Sequence, residues 1–526
     1  MPNTHRPDDL AEMDEEAAKL IAFLTNPASF PNRPDTIEII ETHAARVILA
    51  GDTAYKVKKR VKLPFLDFTT LAARETALAR ELELNRDQAP GLYRGLTMIG
   101  RRADGSLAWQ EGTPTEAVLV MNRFEQDQLL ARIAARGPLP REAGRALAAM
   151  AARYHRAAPP AIGLSGARIM QKTLEDLSAS LVEAAPESQK ALAAEFRELS
   201  LSEVGRVAGL LEQRSRSGYV RRCHGDLHLG NIVMLDGHVV PFDALEFDEN
   251  LATIDVLYDL AFLLMDLDVR GDRAAANVVL NTYVGIAPVG EEIEGVAALP
   301  LFLATRAAIR GLVALQSALQ KPAAQQSDGL IARAISYMTA AIRYLKPVQP
   351  ALIAIGGLSG TGKSTLAARL APMLEPAPGA LVLRTDVERK QMFDTPETER
   401  LPSEHYSEEV SDRVYAVLYE KAERALAAGH SVIFDGVSAK PEERERIQAI
   451  ASRLGSRFLG LWLEAPLATQ IARVEARRDD ASDSDAEVVR AQASRDLGPI
   501  TWIRIDAGQT FDRTFAQAEA ALAAAA

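Results

Sequence analysis

Apolar positions change their spacing twice along the chain. Residues 37–63 carry short β-branched runs, Thr36-Ile37-Glu38-Ile39-Ile40 and Arg46-Val47-Ile48-Leu49, and a Gly51-Asp52 turn precedes Ala54-Tyr55-Lys56-Val57. Such runs bounded by turn residues predict strands. Ahead of them the pattern predicts a short helix up to residue 25 and a Pro-rich turn at Pro27–Pro34. Thr69–Arg86 has helical spacing, with Leu71, Leu78 and Leu82 on a shared face, and Ala117-Val118-Leu119-Val120-Met121 reads as a buried strand. From Gln126 to Leu345 the pattern is Ala/Leu helix, interrupted by a Gly/Asp/Pro-rich centre at 218–250. Lys346-Pro347-Val348-Gln349-Pro350 stops the last of these helices, because two prolines cannot continue one. Beyond it the order becomes strand, glycine loop, helix, strand. The expected division is therefore 1–125, 126–347 and 348–526.

Composition narrows the classes. A chain of 526 residues exceeds one hydrophobic core, and 48% hydrophobic with 25% charged residues is ordinary globular content. A formal charge of -11 argues against a general nucleic-acid or anionic-membrane binder. The single cysteine, Cys223, excludes an intrachain disulfide and fits a reducing compartment. The segment Met1–Asp9 has no apolar signal core, and the most apolar stretch, Ile254–Val269, is broken by Asp255, Asp259, Asp266 and Asp268. Carboxylates are too costly in a bilayer, so a cytoplasmic protein is expected, with no membrane partner.

The sharpest motif lies in the last part. Leu352-Ile353-Ala354-Ile355 precedes Gly357-Leu358-Ser359-Gly360-Thr361-Gly362-Lys363-Ser364-Thr365, a G-x-x-x-x-G-K-[ST] loop in a strand–loop–helix setting. Backbone N–H groups of such a loop wrap phosphates at a helix N-terminus, Lys363 reaches the outer phosphates and Ser364 ligates Mg²⁺. Two further segments read as strands ending in carboxylates: Leu381–Asp386, with Arg389 one turn later, and His430–Gly436, with Asp435. The carboxyl ends of parallel strands are where such sheets bind ligands. Asp386 is placed to accept a proton from a hydroxyl, and Asp435 to hold the Mg²⁺ shell. Arg473, Arg477 and Arg478 precede a polar stretch and either neutralise a transferring phosphoryl group from a lid or line a solvated helix face.

The stretch 351–510 resembles the small P-loop kinases grouped with zeta toxins and the kinase domain of polynucleotide kinases. The residues that carry the likeness are GGLSGTGKST, TDVERK with its D-x-x-R, VIFDG, and the arginines at 473 and 477. The resemblance implies phosphoryl transfer from ATP to a hydroxyl, with Asp386 as base and Arg389 on the acceptor side. It leaves the acceptor open among sugars, nucleotide sugars, nucleic-acid ends and antibiotics, and the negative net charge speaks against a polynucleotide.

A second centre is Cys223-His224-Gly225-Asp226-Leu227-His228-Leu229-Gly230-Asn231, followed by Pro241-Phe242-Asp243 after a hairpin-like Asp236-Gly237. A carboxylate, an amide five residues on and a later strand-flanked Asp form a kinase catalytic-loop arrangement. In that logic Asp226 receives the acceptor proton, while Asn231 and Asp243 ligate Mg²⁺. His224 and His228 alone are an incomplete zinc set. These residues resemble the aminoglycoside phosphotransferase and choline-kinase group over 35–345. The resemblance implies an α+β, protein-kinase-like bilobal fold ahead of the α/β P-loop domain with its parallel sheet. It also puts Lys56 at the nucleotide-binding position, with Glu75 as its ion-pair partner and Glu81 as second choice. Lys58 replaces Lys56 if the strand register shifts by one pleat, and a solvated basic strand edge remains an alternative for this segment. Met121–Arg123 is the expected adenine hinge. No G-x-G-x-x-G loop precedes Lys56.

This domain order is similar to that of proteins described as bifunctional aminoglycoside phosphotransferase/ATP-binding proteins. The expectation is an ATP- and Mg²⁺-dependent kinase with two sites and a small sugar-like or aminocyclitol-like acceptor. A P-loop domain that only regulates, and a toxin-like or macromolecule-directed kinase, are the alternatives.

Overall fold

The computed structural model describes residues 7–525, apart from 43, 64–65, 288, 290–291, 320–323 and 477–480. Its contacts separate two units, Met1–Pro138 with Arg153–Ala161 and Val220–Asp259, and Leu139–Ala152 with Ile162–Tyr219 and Leu260–Ala526. The catalytic-loop region 220–259 thus groups with the N-terminal sheet and the remaining helices with the P-loop domain, a different partition from the three stretches expected.

The first unit is built on an antiparallel sheet of β1 (Ile37–Glu41), β2 (Ala45–Ala50), β3 (Thr53–Lys58), β6 (Tyr93–Arg101), β7 (Leu107–Trp109) and β8 (Thr113–Asn122). Its order is β1-β2-β3-β8-β6-β7, and the two-residue strands β4 (Lys62–Leu63) and β5 (Leu66–Asp67) pair separately. Side chains alternate across the pleat. Leu49, Ala117, Leu119 and Met121 face a core that includes Leu78 of the helix Leu71–Arg86. Ile48, Val57 and Val118 face the opposite core, closed by Leu20, Leu24 and Phe30. Burying both faces explains why these strands read as apolar runs. The turn before β3 falls where Gly51-Asp52 predicts it, whereas β6 is interrupted by Arg94, Gly95 and Gly100 and β7 is only three residues long, so neither gives a strand signal. Two small ribbons complete the unit: β9 (Val220–Arg222) with β12 (Thr253–Asp255), and β10 (Ile232–Leu235) with β11 (His238–Pro241). Asp236 and Gly237 join the second ribbon, both at positive φ, as a tight hairpin turn requires.

In the second unit the helices Gly166–Ala184 and Lys190–Arg216 pack together, as do Leu299–Leu319 and Ala324–Leu345. Among the described residues one helical stretch, Glu294–Leu319, is long and apolar enough to cross a membrane; 67% of its apolar window is buried inside the protein, as in a core helix. The P-loop part has five parallel strands, β13 (Ala351–Gly356), β14 (Leu381–Arg384), β15 (Val432–Asp435), β16 (Arg457–Glu464) and β17 (Ile503–Asp506). Their order is β14-β15-β13-β16-β17. Ile353, Ile355, Ile433 and Leu461 form the core with Leu366 and Leu370 of the helix Lys363–Leu370. β14 stops at Arg384, so Thr385 and Asp386 open the helix Thr385–Met392 and do not end the strand as expected.

One buried ion pair ties the first sheet to its helix. Arg74 Nε lies 2.6 Å from Glu116 Oε1, both side chains being almost inaccessible, and Arg74 Nη1 donates to the Phe68 and Thr69 carbonyls. Removing one partner strands a buried charge at a cost of about 3–5 kcal/mol. Arg74→Ala is predicted to lower stability by that amount in urea unfolding, and Arg74→Met with Glu116→Leu to restore most of it. A loss for Arg74→Ala of the ~0.5 kcal/mol typical of surface pairs would contradict this reading.

Candidate active sites

Alternation along β3 puts Lys56 and Lys58 on one face. Lys56 Nζ lies 2.7 Å from Glu81 Oε1 and 2.5 Å from Asp243 Oδ1. Lys58 Nζ lies 2.9 Å from the other oxygen of Glu81 and 2.6 Å from Glu246. The reading of this segment as a solvated basic edge is overturned for both lysines, which are buried. Lys56 joins Glu81 to Asp243, and Lys58 joins Glu81 to Glu246.

Glu75 is exposed, and Glu81, fully buried, makes the ion pair in its place. The cause is helix phase. The family resemblance put Glu75 first, but the buried residues of this helix are Arg74, Ala77, Leu78, Glu81 and Asn85, and position 75 lies off that stripe.

The donor chemistry supports a cation here. Three carboxylates, Glu81, Asp243 and Glu246, bring their oxygens within 4.8 Å of one another, and two lysines face them. Burial works against the charge on Lys56, but the Asp243 and Glu81 carboxylates outweigh it and hold its pKa well above the ordinary value. Burial likewise raises Asp243, yet Lys56 and Lys58 hold its carboxyl below the usual range. Burial pushes Glu246 up, against Lys58. The three carboxylates offer hard oxygen donors of the kind Mg²⁺ takes.

The loop bearing Asp243 is held by this same helix. Asn85 Nδ2 donates to the Glu81 carbonyl, and its Oδ1 accepts from Ala244 N–H at 3.1 Å. Asp243 N–H donates to the Tyr93 hydroxyl at 3.0 Å, and Asp243 has φ 60°, a strained value for a residue with a Cβ.

Asp226 and Asn231 are brought into contact in the loop after β9. Asn231 Nδ2 donates to Asp226 Oδ2 at 2.8 Å, which fixes the carboxylate beside the amide. His224 is neutral and structural: burial lowers its pKa, its Nε2 lies 3.0 Å from the Phe242 carbonyl, and its Nδ1 accepts from Asp226 N–H. Asp259, in the acidic run, accepts from His224 N–H at 3.2 Å and Gly225 N–H at 2.8 Å, and lies 3.1 Å from His155 Nε2. It shapes the catalytic loop, a role no motif spacing marks. Met121, the last residue but one of β8, lies opposite Ala54 and is buried.

In the second unit the phosphate loop runs from β13 into the helix that starts at Lys363. Gly360 has no room for a side chain, since a Cβ would sit 2.5 Å from the Gln470 carbonyl, and its φ is 81°. Gly357 N–H donates to the Val437 carbonyl, and Thr361 Oγ1 to the Leu358 carbonyl. Ser364 Oγ donates to Asp435 Oδ2 at 2.6 Å, bringing together two hard oxygen groups suited to one Mg²⁺ shell. Gly360, Thr361, Gly362, Lys363, Ser364 and Thr365 share a cavity of about 1000 Å³ with Asp386, Arg389, Asp435 and Arg473. Burial raises the Asp386 carboxyl above the usual range, against the pull of Arg384. Arg389 is buried over the Tyr406 ring and donates to the His405 carbonyl and the Ser411 hydroxyl. Arg473 Nη1 lies 3.5 Å from the Gly360 and Thr361 carbonyls. Arg477 and Arg478 lie outside the described residues.

Sequence reasoning missed how the polar stretch after these arginines is fastened. Asp483 accepts from Lys390 Nζ and Leu401 N–H, both at 2.9 Å, and from the Tyr406 hydroxyl at 2.5 Å. Ser359 Oγ lies 2.9 Å from Ser484 Oγ, and Ser359 N–H donates to Gln492. Residues 483–492 thereby touch both the phosphate loop and the segment after Arg389.

Known proteins match both parts. A model described as "Phosphotransferase enzyme family" matches residues 39–296, and one described as "AAA domain" matches 352–496. Uncharacterized proteins of Mycobacterium tuberculosis and Mycobacterium bovis are 30% identical over 491 residues, 92% of this chain and 94% of theirs. Among solved structures, a choline/ethanolamine kinase family protein from Mesorhizobium loti is 16% identical, covering 62% of this chain and 99% of its own, with a TM-score of 0.36. A gluconokinase from Sinorhizobium meliloti is 20% identical, covering 33% and 93%, with a TM-score of 0.25.

The helix-phase result is testable on nucleotide binding. In a Lys363→Ala background, Glu81→Gln is predicted to weaken ATP·Mg²⁺ binding by at least about 10-fold, because it unpairs two buried lysines. Glu75→Gln is expected to leave it within about 2-fold, as for a surface change. Calorimetric titration reads both, and equal effects of the two substitutions would contradict the assignment.

Proposed function

Because the chain belongs to the family that joins an aminoglycoside-phosphotransferase-type domain to a P-loop kinase-like domain, we propose that it is a kinase with two working ATP sites. Both act on hydroxyl groups of a small, sugar-like or aminocyclitol-like acceptor. The observation that carries this reading is the shared cavity in the P-loop part. It holds the residues that grip phosphate, Lys363 and Ser364, together with a carboxylate and an arginine that phosphate binding alone does not need, Asp386 and Arg389. That surplus disfavours a purely regulatory P-loop domain. Glu408, Ser411, Asp412 and Lys440 add polar walls that suit a hydroxyl-rich acceptor.

In the first site Asp226 takes the proton of the attacking hydroxyl, held in place by Asn231. Lys56 contacts the nucleotide phosphates, and Glu81 keeps it aimed. Asn231 and Asp243 would hold Mg²⁺. In the second site Lys363 and Arg473 neutralise the outer phosphates, Ser364 and Asp435 would hold Mg²⁺, Asp386 is the base and Arg389 fixes the acceptor; Arg477 joins Arg473 in this proposal. Bound Mg²⁺ supplies charge neutralisation along the phosphates in both. A raised carboxyl at Asp386 is the stronger base.

Acceptor-dependent ADP release over a panel of sugars, amino sugars, aminocyclitols and nucleosides tests the proposal. Asp226→Asn is predicted to remove one activity by roughly 10²–10⁴-fold while ATP still binds, and Asp386→Asn or Lys363→Ala to remove the other. Near-normal turnover in Asp226→Asn would exclude it as the base. ATP binding at both sites with no acceptor turned over would favour the regulatory or macromolecule-directed readings.

A further inference from the structure

The free edge of the P-loop sheet, strand β14, is closed by a helix about a hundred residues earlier in the sequence. β14 is an edge strand, paired with β15 on one side only. Edge strands leave unpaired N–H and C=O groups, and a buried N–H without a partner is costly. Here the helix Arg273–Gly285 supplies the partners from one stripe at every fourth residue: Arg273, Asn277, Asn281 and Gly285. Side chains four apart lie one above the other on a helix.

Each member of the stripe meets the segment around β14. Arg273 Nη1 lies 2.8 Å from Glu375 Oε1, and its Nη2 donates to the Leu374 carbonyl at 2.9 Å. Asn277 Nδ2 donates to the Ala380 carbonyl at 3.0 Å. Asn281 spans the strand edge: its Nδ2 donates to the same carbonyl at 3.1 Å, and its Oδ1 accepts from Val382 N–H at 2.7 Å. One carboxamide thus does what a neighbouring strand does for alternate residues. The Gly285 carbonyl accepts from Gln391 on the helix that carries Asp386. The sequence is cut to fit this contact. Gly379 has φ 116°, and a Cβ there would lie 2.8 Å from Asn277 Nδ2 and 2.4 Å from the Ala371 carbonyl. On the far side His430 Nε2 lies 3.0 Å from the Gly379 carbonyl, so the turn into β14 is gripped from two directions.

We infer that Asn281, supported by Asn277, is a positioning residue for the second site. It fixes the register and height of β14 and, through it, of Asp386 and Arg389, which follow the strand by two and five residues. The P-loop domain in this protein is therefore catalytically complete only with the helix Arg273–Gly285 against its edge. This rests on the reading of the P-loop site as a kinase.

The test uses the full-length protein with Asn281→Ala and Asn281→Asp. The Asp variant keeps size and the acceptor for Val382 N–H while losing the donor to Ala380. The expected result for Asn281→Ala is hydrogen exchange at the Val382 amide faster by about 10-fold or more, as for an opened native hydrogen bond. Lys363-dependent kcat is expected to fall about 10-fold or more, with the KM for ATP within about 2-fold, because the phosphate loop is untouched and the base is displaced. Asn281→Asp should keep most of the Val382 protection and still lose kcat. Unchanged exchange and unchanged kcat in both variants would overturn the inference, as would a loss that falls on the KM for ATP alone. If the wild type shows no Lys363-dependent turnover, the kinase reading fails. Exchange at Val382 then still decides whether Asn281 holds the strand.

Discussion

A fully buried carboxylate with no partner costs far more than a folded domain can spare, and Glu81 is such a group unless Lys56 and Lys58 both reach it. That requirement organises the first site. It fixes the register of β3, since only positions two apart on one strand present two ammonium groups to one carboxylate. It also fixes the rotation of the helix Leu71–Arg86, since Glu81 has to face the sheet while Asn85, one turn on, holds Ala244. With strand and helix set, the far ends of the two lysines determine where Asp243 and Glu246 come to rest. The positive φ of Asp243 is then a strain sustained by contacts on all sides, with Tyr93 and Lys56 among them.

The second unit solves the same problem differently. Its charged residues gather where parallel strands end, so the backbone does the converging and the side chains need travel little. Asp435 sits at the end of β15 and Ser364 one residue into the adjacent helix, and their 2.6 Å contact follows from neighbouring strands. Arg389 is fixed by a carbonyl, a hydroxyl and an aromatic ring, with no carboxylate hydrogen-bonded to it among the described residues. An arginine held by neutral groups keeps its charge for a ligand, and its burial, which lowers its pKa, makes that charge more effective in the low-dielectric cavity.

How far the sequence foretold this depends on whether local chain order carries the chemistry. The phosphate loop, the Asp226–Asn231 spacing and the Asp236-Gly237 turn are local devices, and the structure places them as their spacing implies. The pairing of β3 with Lys56 inward was legible because β-branched neighbours mark its strand. Glu81 was legible only as a second choice, because the stripe it shares with Arg74 and Asn85 is largely polar and apolar periodicity does not single out one of its members. β6 escaped because Arg94, Gly95 and Gly100 break any alternation, while its pairing with β8 supplies the stability; β7, paired to β6, is only three residues long and too short to show a period. Asp259 and Asp483 act over sequence separations of more than thirty and more than seventy residues, respectively, which spacing cannot reveal.

The asparagines of the helix Arg273–Gly285 extend that point. Asparagine is a poor helix former, so Asn277 and Asn281 inside a helix lower its intrinsic stability. A surface explanation does not hold for Asn277, which is buried. The local cost is offset where the carboxamides satisfy backbone groups of another element, and the neighbouring Gly379 shows that element shaped in turn to admit them. Propensity and packing disagree at these two positions. Such disagreement, in a helix otherwise rich in alanine and valine, marks the place where the helix serves a strand outside itself.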